Sequence, residues 1–416
     1  MFLRTVASSA DSDNPDPPTR VCFFFNSQRH QLLHGISIAT ELARLPGFEV
    51  LVLSPSAGHI AYAEHLVEQL GGAPIHYEAA QSQLLDTARA ATGRSIPPKL
   101  LTLAVLASRL NSFDAIALPE RTSSILKKFG ARSPRYIHLD HGAGDRAAGF
   151  DWRIARFDMV LMAGDKHRCR MLREGLVRDG CHAVVGYPKF DAAEVARDPG
   201  WQAFPDDRPV VLYNPHFADF ASWRGCGAAL VDAFAAQDRY NLIVAPHIRL
   251  LDQRSERARW DALVKRHAGN DRILFDGGSD RLIDMSYTTL ADVYVGDVSS
   301  QVYEFLRTPK PCLFLNPHGI DWIRDENYLH WNFGQVLRTA AGIIEEIDIA
   351  RVEHSRFRSA QVDGIDRTFA SGPASASARA AAAIAGYLRP GERQLSKLPA
   401  TVEPALRVAG LRVATG

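Results

Sequence analysis

The chain lacks the glycine-rich and nucleophile motifs that mark several large enzyme classes. It has no G-x-x-x-x-G-K-[ST] phosphate loop and no G-x-S-x-G elbow, and its first strand-to-helix turn, residues 26–30, carries no G-x-G-x-x-G. His30 and His34 stand four residues apart, but no H-E-x-x-H frames them and no carboxylate completes a ligand set. These absences argue against a P-loop NTPase, an elbow-type serine hydrolase and a dinucleotide-dependent redox enzyme, and no resident metal is predicted.

The net charge, the cysteine spacing and the length of the hydrophobic runs indicate which partners and which cellular compartment the chain is suited to. The formal net charge is +1, so no strong basic field attracts nucleic acid. The five cysteines are scattered and form no C-x-x-C, which predicts neither zinc nor disulfides and fits a reducing cytoplasm. No apolar run approaches the roughly 18 residues that span a bilayer. Residues 1–20, rich in Ser, Asp and Pro, indicate a disordered lead-in and not a signal peptide.

Apolar strand-like runs alternate with helix-like segments, which predicts doubly wound, mostly parallel α/β sheets. The predicted strands include Ala115–Leu118, Met159–Met162 and Cys312–Leu315, and one predicted helix covers residues 31–44. The 416 residues exceed one ordinary core, and the alternation restarts at Val210 after a polar, proline-bearing stretch. We therefore predict two Rossmann-like domains, at residues 21–190 and 210–370, joined by a linker at 191–209. A C-terminal helix, centred on the Ala-rich residues 374–385, and a tail are expected over 371–416.

Five predicted strands end in polar clusters. In open α/β sheets the ligand lies beyond the carboxyl ends of the strands, so clusters at equivalent places suggest one composite site. The clusters are Asp140-His141, Asn214-Pro215-His216, Pro246-His247, Asp297-Val298-Ser299-Ser300 and Asn316-Pro317-His318.

The cluster that includes Ser299 and Ser300 ends one strand and opens a predicted helix. A helix N-terminus presents free N–H groups and a positive dipole end, which suit phosphate, and the two serines add hydroxyl donors. Glu304, one turn further on, could accept the two ribose hydroxyls of a nucleotide. The plainer alternative is that a serine only caps the helix and that Glu304 is solvated.

Two histidines at strand ends are candidates for chemistry. His247 could donate to a diphosphate oxygen, since its pKa lies near neutrality. His141 could act as general base on an acceptor hydroxyl, oriented by Asp140 or Asp145. For each, the alternative is an ordinary loop histidine bonded to backbone.

The remaining clusters predict less specific roles. Asn214, His216 and His318 could contact base, ribose or acceptor, or could belong to ordinary strand-end loops. Asp145 and Asp297 could hold Mg²⁺, although no D-x-D motif stands at a strand end and the helix terminus could serve instead.

The second half, with the end of the first, resembles the bacterial CDP-glycerol glycerophosphotransferase family, the teichoic acid primases and polymerases, over about residues 136–321. Residues 291–305 and 310–315 are similar to the family's strand, D-x-S-S, helix and proline-hydrophobic segment. Residues 211–215 resemble its "vLYtPT" strand, Pro246-His247 its "K-x-H-P" histidine, and His141-Gly142 its "W-H-G-T-P" turn. Glu304 stands where the family has an aspartate. A glutamate at this position is more similar to GT-B sugar enzymes and to the non-hydrolysing UDP-GlcNAc 2-epimerases.

The resemblance implies a GT-B fold: two Rossmann-like domains facing across a cleft. It implies transfer of a glycerophosphate or related group from a CDP-linked donor to a hydroxyl of a lipid-linked or cell-surface glycan or phosphoglycolipid. His141 is then the base, with Asp145 and His247 in the catalytic set. The donor-binding residues are then Asn214, His216, Asp297, Ser299, Ser300 and Glu304.

Three alternatives stay open. They are a GT-B glycosyltransferase using a UDP- or GDP-sugar, a non-hydrolysing UDP-sugar 2-epimerase, and a non-catalytic nucleotide-sensing protein. The nucleotide donor is the one small-molecule partner expected, with Mg²⁺ open and no other cofactor implied. The expected location is the cytoplasm, with a peripheral contact at the inner face of the cell membrane because the acceptor would be lipid-linked.

Overall fold

The computed structural model describes residues 17–92 and 96–390. The predicted lead-in lies outside them up to residue 16, and the tail lies outside them beyond residue 390. The described backbone forms two parallel sheets of seven and six strands, with helices interleaved between consecutive strands. Among the described residues, none of the helices combines the length and apolarity needed to cross a membrane.

The first sheet has the strand order β3-β2-β1-β4-β5-β6-β7 with every neighbouring pair parallel. Its central strand, β4, is apolar throughout and all four of its residues are buried, because helices cover both faces of the sheet. The strands are β1 Thr19–Phe24, β2 Phe48–Ser54, β3 Ile75–Ala79, β4 Ala115–Leu118, β5 Arg135–Leu139, β6 Met159–Met162 and β7 His182–Val184.

The helices around this sheet include several short 3-10 turns. The α-helices are α1 Ile36–Ala43, α2 Ala57–Gln69, α3 Gln83–Thr92, α4 Lys99–Leu110, α5 Asp165–Arg173 and α6 Lys189–Ala196. The 3-10 helices are Arg29–His34, Arg121–Phe129, Ala147–Gly149 and Trp152–Arg156.

The second sheet has the order β10-β9-β8-β11-β12-β13, again all parallel. Its strands are β8 Val210–Asn214, β9 Asn241–Val244, β10 Ile273–Phe275, β11 Val293–Gly296, β12 Cys312–Leu315 and β13 Gln335–Leu337. The α-helices are α7 Trp223–Ala235, α8 Arg254–Arg266, α9 Ser286–Leu290, α10 Gln301–Phe305, α11 Ile343–Val352, α12 Ser355–Thr368 and α13 Ala376–Leu388. The 3-10 helices are Leu250–Asp252, Asp280–Leu282 and Glu326–Phe333.

Both sheets change winding direction at a defined point. Counted within each domain, both have the order 3-2-1-4-5-6 of Rossmann sheets, with a seventh strand added to the first. The order reverses between β1 and β4 and between β8 and β11, and ligands of such sheets bind beyond the strand ends at this crevice. The loops after β5, β8 and β11 therefore lie at or beside these two crevices.

The helix predicted over residues 31–44 is broken at Gly35 into a 3-10 turn and α1. A Cβ at Gly35 would lie 2.8 Å from Cδ1 of Leu139 and 3.0 Å from the Phe25 ring, so glycine lets the backbone press against the sheet. This break fixes where the preceding turn, which carries His30 and His34, meets the end of β5.

The chain returns to the first domain at its C-terminal end. The N–H of Ala370 donates to the carbonyl of Ala163 at 2.8 Å, and α13 packs along α1. Ser377 at the start of α13 donates to Asp191. The segment predicted as a linker, 191–209, opens inside α6, whose last six residues belong to it.

Candidate active site between the two domains

The loop that follows β5, residues 140–146, belongs to the first domain and contacts the second domain through Gly144 and Arg146. Gly142 adopts φ +99°, which glycine accepts without strain. A Cβ at Gly144 would lie 3.0 Å from Cβ of Ser300, so the loop touches the start of α10. At its end, Nη1 of Arg146 lies 2.9 Å from Nε2 of His216. The predicted base, His141, is thus placed at the domain boundary.

Three imidazoles from two elements converge around His141. The His34 ring lies 5.9 Å from the His141 ring, the His138 ring 6.4 Å and the His30 ring 6.5 Å, measured between centroids. The amide nitrogen of Gln31 lies 3.4 Å from Nε2 of His141, a long contact that a substrate hydroxyl could replace. We call His30, Gln31, His34, His138 and His141 the histidine cluster.

These histidines are held in the neutral form. Burial lowers the pKa of His141, and Arg121 lowers it further against the opposing effect of Asp140. Burial lowers the pKa of His138 to about 4, and burial with neighbouring positive charge lowers the pKa values of His30 and His34 well below the usual range. A neutral imidazole has a free lone pair at neutral pH, which a general base requires.

The second domain presents its own histidine pair beside Arg146. The rings of His216 and His247 lie 4.9 Å apart, and Arg249 stacks over Phe217 next to them at 4.3 Å. Burial, aided by neighbouring positive charge, lowers the pKa of His216 to about 2 and that of His247 to about 4. We call Arg146, His216, His247 and Arg249 the cationic wall. Two arginines and two imidazoles together suit a polyanion such as a diphosphate.

The cationic wall and the histidine cluster border the same cleft. A proton on His247 would lower the pKa of His30, so the two rings lie close enough to interact electrostatically across the domains. Arg29, next to His30, pairs with Asp280 of the second domain at 3.0 Å. A ligand on the wall would therefore lie beside His141.

The carboxylate of Asp145 is engaged in joining the domains. It accepts from Lys166 Nζ at 2.8 Å, from the Tyr303 hydroxyl at 2.7 Å, and from the backbone N–H and Nδ1 of His330 at 3.0 and 2.7 Å. Lys166 and His330 hold the pKa of this carboxyl well below its usual range, against the effect of burial. Orientation of His141 by Asp145 has no contact to support it in this structure, and Asp140 instead pairs with His167 at 2.7 Å.

Glu304 is likewise buried between the domains, and not solvated. Its Oε1 accepts from Lys189 Nζ at 2.7 Å and from the Tyr187 hydroxyl at 3.0 Å, both from the first domain. The predicted contact with ribose would require a ligand to share this carboxylate with Lys189. That role stays a prediction.

Two other predicted binding residues shape the wall from behind. Asp297 accepts from the backbone N–H of His216 at 3.0 Å and from the Ser222 hydroxyl at 2.7 Å, which fixes the loop after β8. Asn214 donates to the carbonyl of Ala245 at 2.6 Å and accepts from the Tyr294 hydroxyl at 3.1 Å. The polar atoms of both side chains are therefore engaged in hydrogen bonds that hold the strand ends in place.

The serines of the predicted phosphate site differ in exposure. Ser299 is buried and its hydroxyl accepts from the N–H of Gln301 at 3.4 Å, whereas Ser300 is half-buried and faces Gly144. The helix they open, α10, has only five residues, so its dipole is short. Within residues 17–92 and 96–390, no three His, Cys, Asp or Glu side chains are arranged to hold a metal ion.

The structure brings together some of the predicted residues and adds others. His141, His216, His247 and Ser300 border the cleft, whereas His318 is exposed. The sequence analysis did not predict Arg146, Arg249, Gln31 or His138. Arg146 stands seven residues beyond the end of β5, so only a prediction of the loop's path across the cleft could have found it.

Comparison with known proteins gives a fold and no family. No family model matches the chain, and no curated protein matches it in sequence. Among solved structures, the MnaA–UDP complex of S. aureus is similar with a TM-score of 0.60 at 14% identity over 89% of this chain and 97% of that one. The UDP-GlcNAc 2-epimerase of Neisseria meningitidis, bound to UDP-GlcNAc, has a TM-score of 0.59 at 11% identity over 89% and 99%.

A second kind of neighbour matches nearly as well. The wall teichoic acid polymerase TagF, as a variant soaked with CDPG, has a TM-score of 0.56 at 13% identity over 86% of each chain. At such identities the likeness shows the fold alone. Together with the two parallel sheets, it confirms the predicted fold class: the chain has a GT-B fold.

Proposed function

We propose that the chain is a GT-B transferase that binds a nucleotide-diphosphate donor at the cationic wall and passes the group it carries to a hydroxyl. The observation that carries the proposal is the placement of His141, a neutral and partly unpaired imidazole, at the loop that meets this wall. Base and donor site come from different domains, which is the arrangement that a two-substrate reaction across a cleft requires.

The residues divide the reaction between the two domains. His141 takes the proton from the acceptor hydroxyl as its oxygen attacks the donor phosphorus, and the bond between that phosphorus and the nucleotide phosphate oxygen breaks. Arg146 and Arg249 then stabilise the negative charge that develops on the departing nucleotide. The half-buried Arg146 contributes more than the exposed Arg249, because less water screens its guanidinium. Burial of His216 and His247 as neutral rings lets them donate hydrogen bonds without adding repulsion against the arginines.

The donor we favour is CDP-linked glycerophosphate, on the strength of the segments around Asp297, Pro246-His247 and His141-Gly142. A lipid-linked or polymeric surface acceptor, met at a membrane surface, follows from the same reasoning. The second candidate is a UDP-sugar 2-epimerase, favoured by the coverage of 97% and 99% that MnaA and the Neisseria epimerase show against 86% for TagF.

One pair of incubations separates the two candidates. The purified chain is supplied with CDP-glycerol and a glycerol-phosphate lipid in one tube, and with UDP-GlcNAc in deuterated water in the other. Transfer releases CMP, whereas epimerisation exchanges the C2 hydrogen with solvent and yields UDP-ManNAc without any acceptor. The proposal expects CMP release that His141→Gln abolishes and that His318→Gln, at an exposed histidine, leaves unchanged. Deuterium at C2 without CMP release would replace it with the second candidate.

A further inference from the structure

The histidine cluster contains an unusual concentration of buried polar atoms without partners. Among the described residues, hydrogen-bond partners are missing for Nδ1 of His30, His34 and His141, for Nε2 of His138 and for Oε1 of Gln31. Each unsatisfied buried polar group costs about 1–3 kcal/mol, so native proteins rarely gather several in one place. Such a gathering is explained when a ligand supplies the missing partners.

The surrounding charges select the kind of ligand. The two carboxylates beside the cluster already have partners. Glu120 pairs with the Lys99 ammonium at 2.8 Å, and Asp140 pairs with the His167 ring at 2.7 Å. The positive charges of Lys189 and Arg121 act on the cluster from two different elements. An entering anion therefore meets no unpaired carboxylate, and a metal ion finds no suitable group of ligands among the described residues.

We infer that the histidine cluster is a second oxyanion subsite, distinct from the cationic wall, which binds a phosphate-bearing group and takes up a proton as it does so. Its ligand is the phosphate of the acceptor. That identification rests on the proposed function, whereas oxyanion binding with proton uptake does not.

Proton uptake follows from the state of the empty cluster. Burial and mutual repulsion keep the pKa values of His30 and His34 well below neutrality, with Lys189 and His141 adding to the effect. The acidic groups that oppose it are Glu120 for His30 and His141, and Asp140 for His138 and His141. A dianion among these rings favours their charged form, so an imidazole becomes protonated on binding. Uptake of one proton weakens binding about tenfold for each unit that the pH rises.

The test uses sulfate, a tetrahedral dianion that does not itself titrate near neutrality. Sulfate is titrated by calorimetry into the wild type, His34→Gln and His318→Gln, in two buffers of different ionisation enthalpy, from about pH 6 to about pH 8. We expect uptake of about one proton and about tenfold weaker binding per pH unit in the wild type and in His318→Gln. We expect at least about tenfold weaker binding, without the proton, in His34→Gln.

Several results would overturn the inference. Binding that does not change with pH, or that His34→Gln leaves intact, removes the cluster as the site. Binding that Arg146→Gln abolishes while His34→Gln does not would assign the sulfate to the cationic wall. Substitution of the buried His34 could disturb the fold, so His30→Gln, at a half-buried position of the same cluster, is measured as a second variant. Circular dichroism establishes that each variant is folded.

Competition identifies the source of the phosphate. Saturating CDP, which occupies the cationic wall, leaves the His34-dependent sulfate binding unchanged if the cluster serves the acceptor. Glycerol 1-phosphate then displaces this sulfate with the same dependence on His34. Displacement by CDP and not by glycerol 1-phosphate would make the cluster part of the donor site and overturn the inference. If no nucleotide binds but sulfate still binds with uptake of a proton, the proposed function is refuted and the oxyanion subsite is supported.

Discussion

Removing the charge of Asp145 should uncouple the two domains. In Asp145→Asn, the buried Lys166 ammonium loses its carboxylate and Nδ1 of His330 loses a charged partner. The new amide also replaces one acceptor oxygen with an N–H₂ that faces donors. Breaking a buried pair by removing one partner costs about 3–5 kcal/mol. The loss exceeds a simple hydrogen-bond deletion because the Asp145 side chain has no exposed surface.

Urea denaturation followed by circular dichroism measures this loss. The matched control is Asp219→Asn. The Asp219 carboxylate is 82% exposed and pairs with Arg224, so the unfolding free energy of this variant should change by less than about 1 kcal/mol. The pKa of Asp145 is lowered in the native state, so its contribution is present above the unfolded value of about 3.9 and is lost as the pH falls below it. The difference between wild type and Asp145→Asn should therefore shrink below about pH 4. An Asp145→Asn variant as stable as Asp219→Asn at pH 7 would refute the reasoning.

Three further substitutions test the cleft. His141→Gln should lower turnover by about 10²–10⁴-fold with donor affinity unchanged in calorimetry, since it removes only the base, and undiminished turnover would exclude that role. Gly144→Ala should weaken donor binding in calorimetry, because its Cβ would lie 3.0 Å from that of Ser300 and push the two loops apart by a few tenths of an ångström, and an unchanged donor affinity would contradict this. Glu304→Gln should destabilise the fold by about 3–5 kcal/mol in urea because it leaves the Lys189 ammonium buried and unpaired. An unchanged urea midpoint for Glu304→Gln would contradict this, and would mean that the Glu304 carboxylate is not needed by Lys189 and is free to bind a ribose.

The fold class was predictable because its signal is local. Buried parallel strands are short apolar runs, and three of them were predicted at their observed bounds: Ala115–Leu118, Met159–Met162 and Cys312–Leu315. The strands that escaped prediction lie at the sheet edges, where burial is partial. β3 has no fully buried residue and reads Ile-His-Tyr-Glu-Ala, so it shows no apolar run.

The site was predictable only in outline. The end of an apolar strand can be recognised in a sequence, which is why His141, His216 and His247 could be placed at the carboxyl ends of their strands. The partners of a carboxylate are not visible: Asp145 meets Tyr303 and His330 more than 150 residues further along the chain. Because these contacts depend on how the domains face one another, no pattern near Asp145 distinguished an interdomain ion pair from a catalytic acid.

The measurement that tests the central claim most directly is a thermal-shift panel of CMP, CDP, CDP-glycerol, UDP, UDP-GlcNAc and a GDP-sugar on the wild type and Arg146→Gln. A ligand at about 100 times its Kd stabilises the native state by about 2.7 kcal/mol, which raises the Tm by several degrees. The account predicts such a rise with cytidine diphosphate ligands and its loss in Arg146→Gln. No rise with any nucleotide, or a rise that Arg146→Gln leaves unchanged, would contradict it.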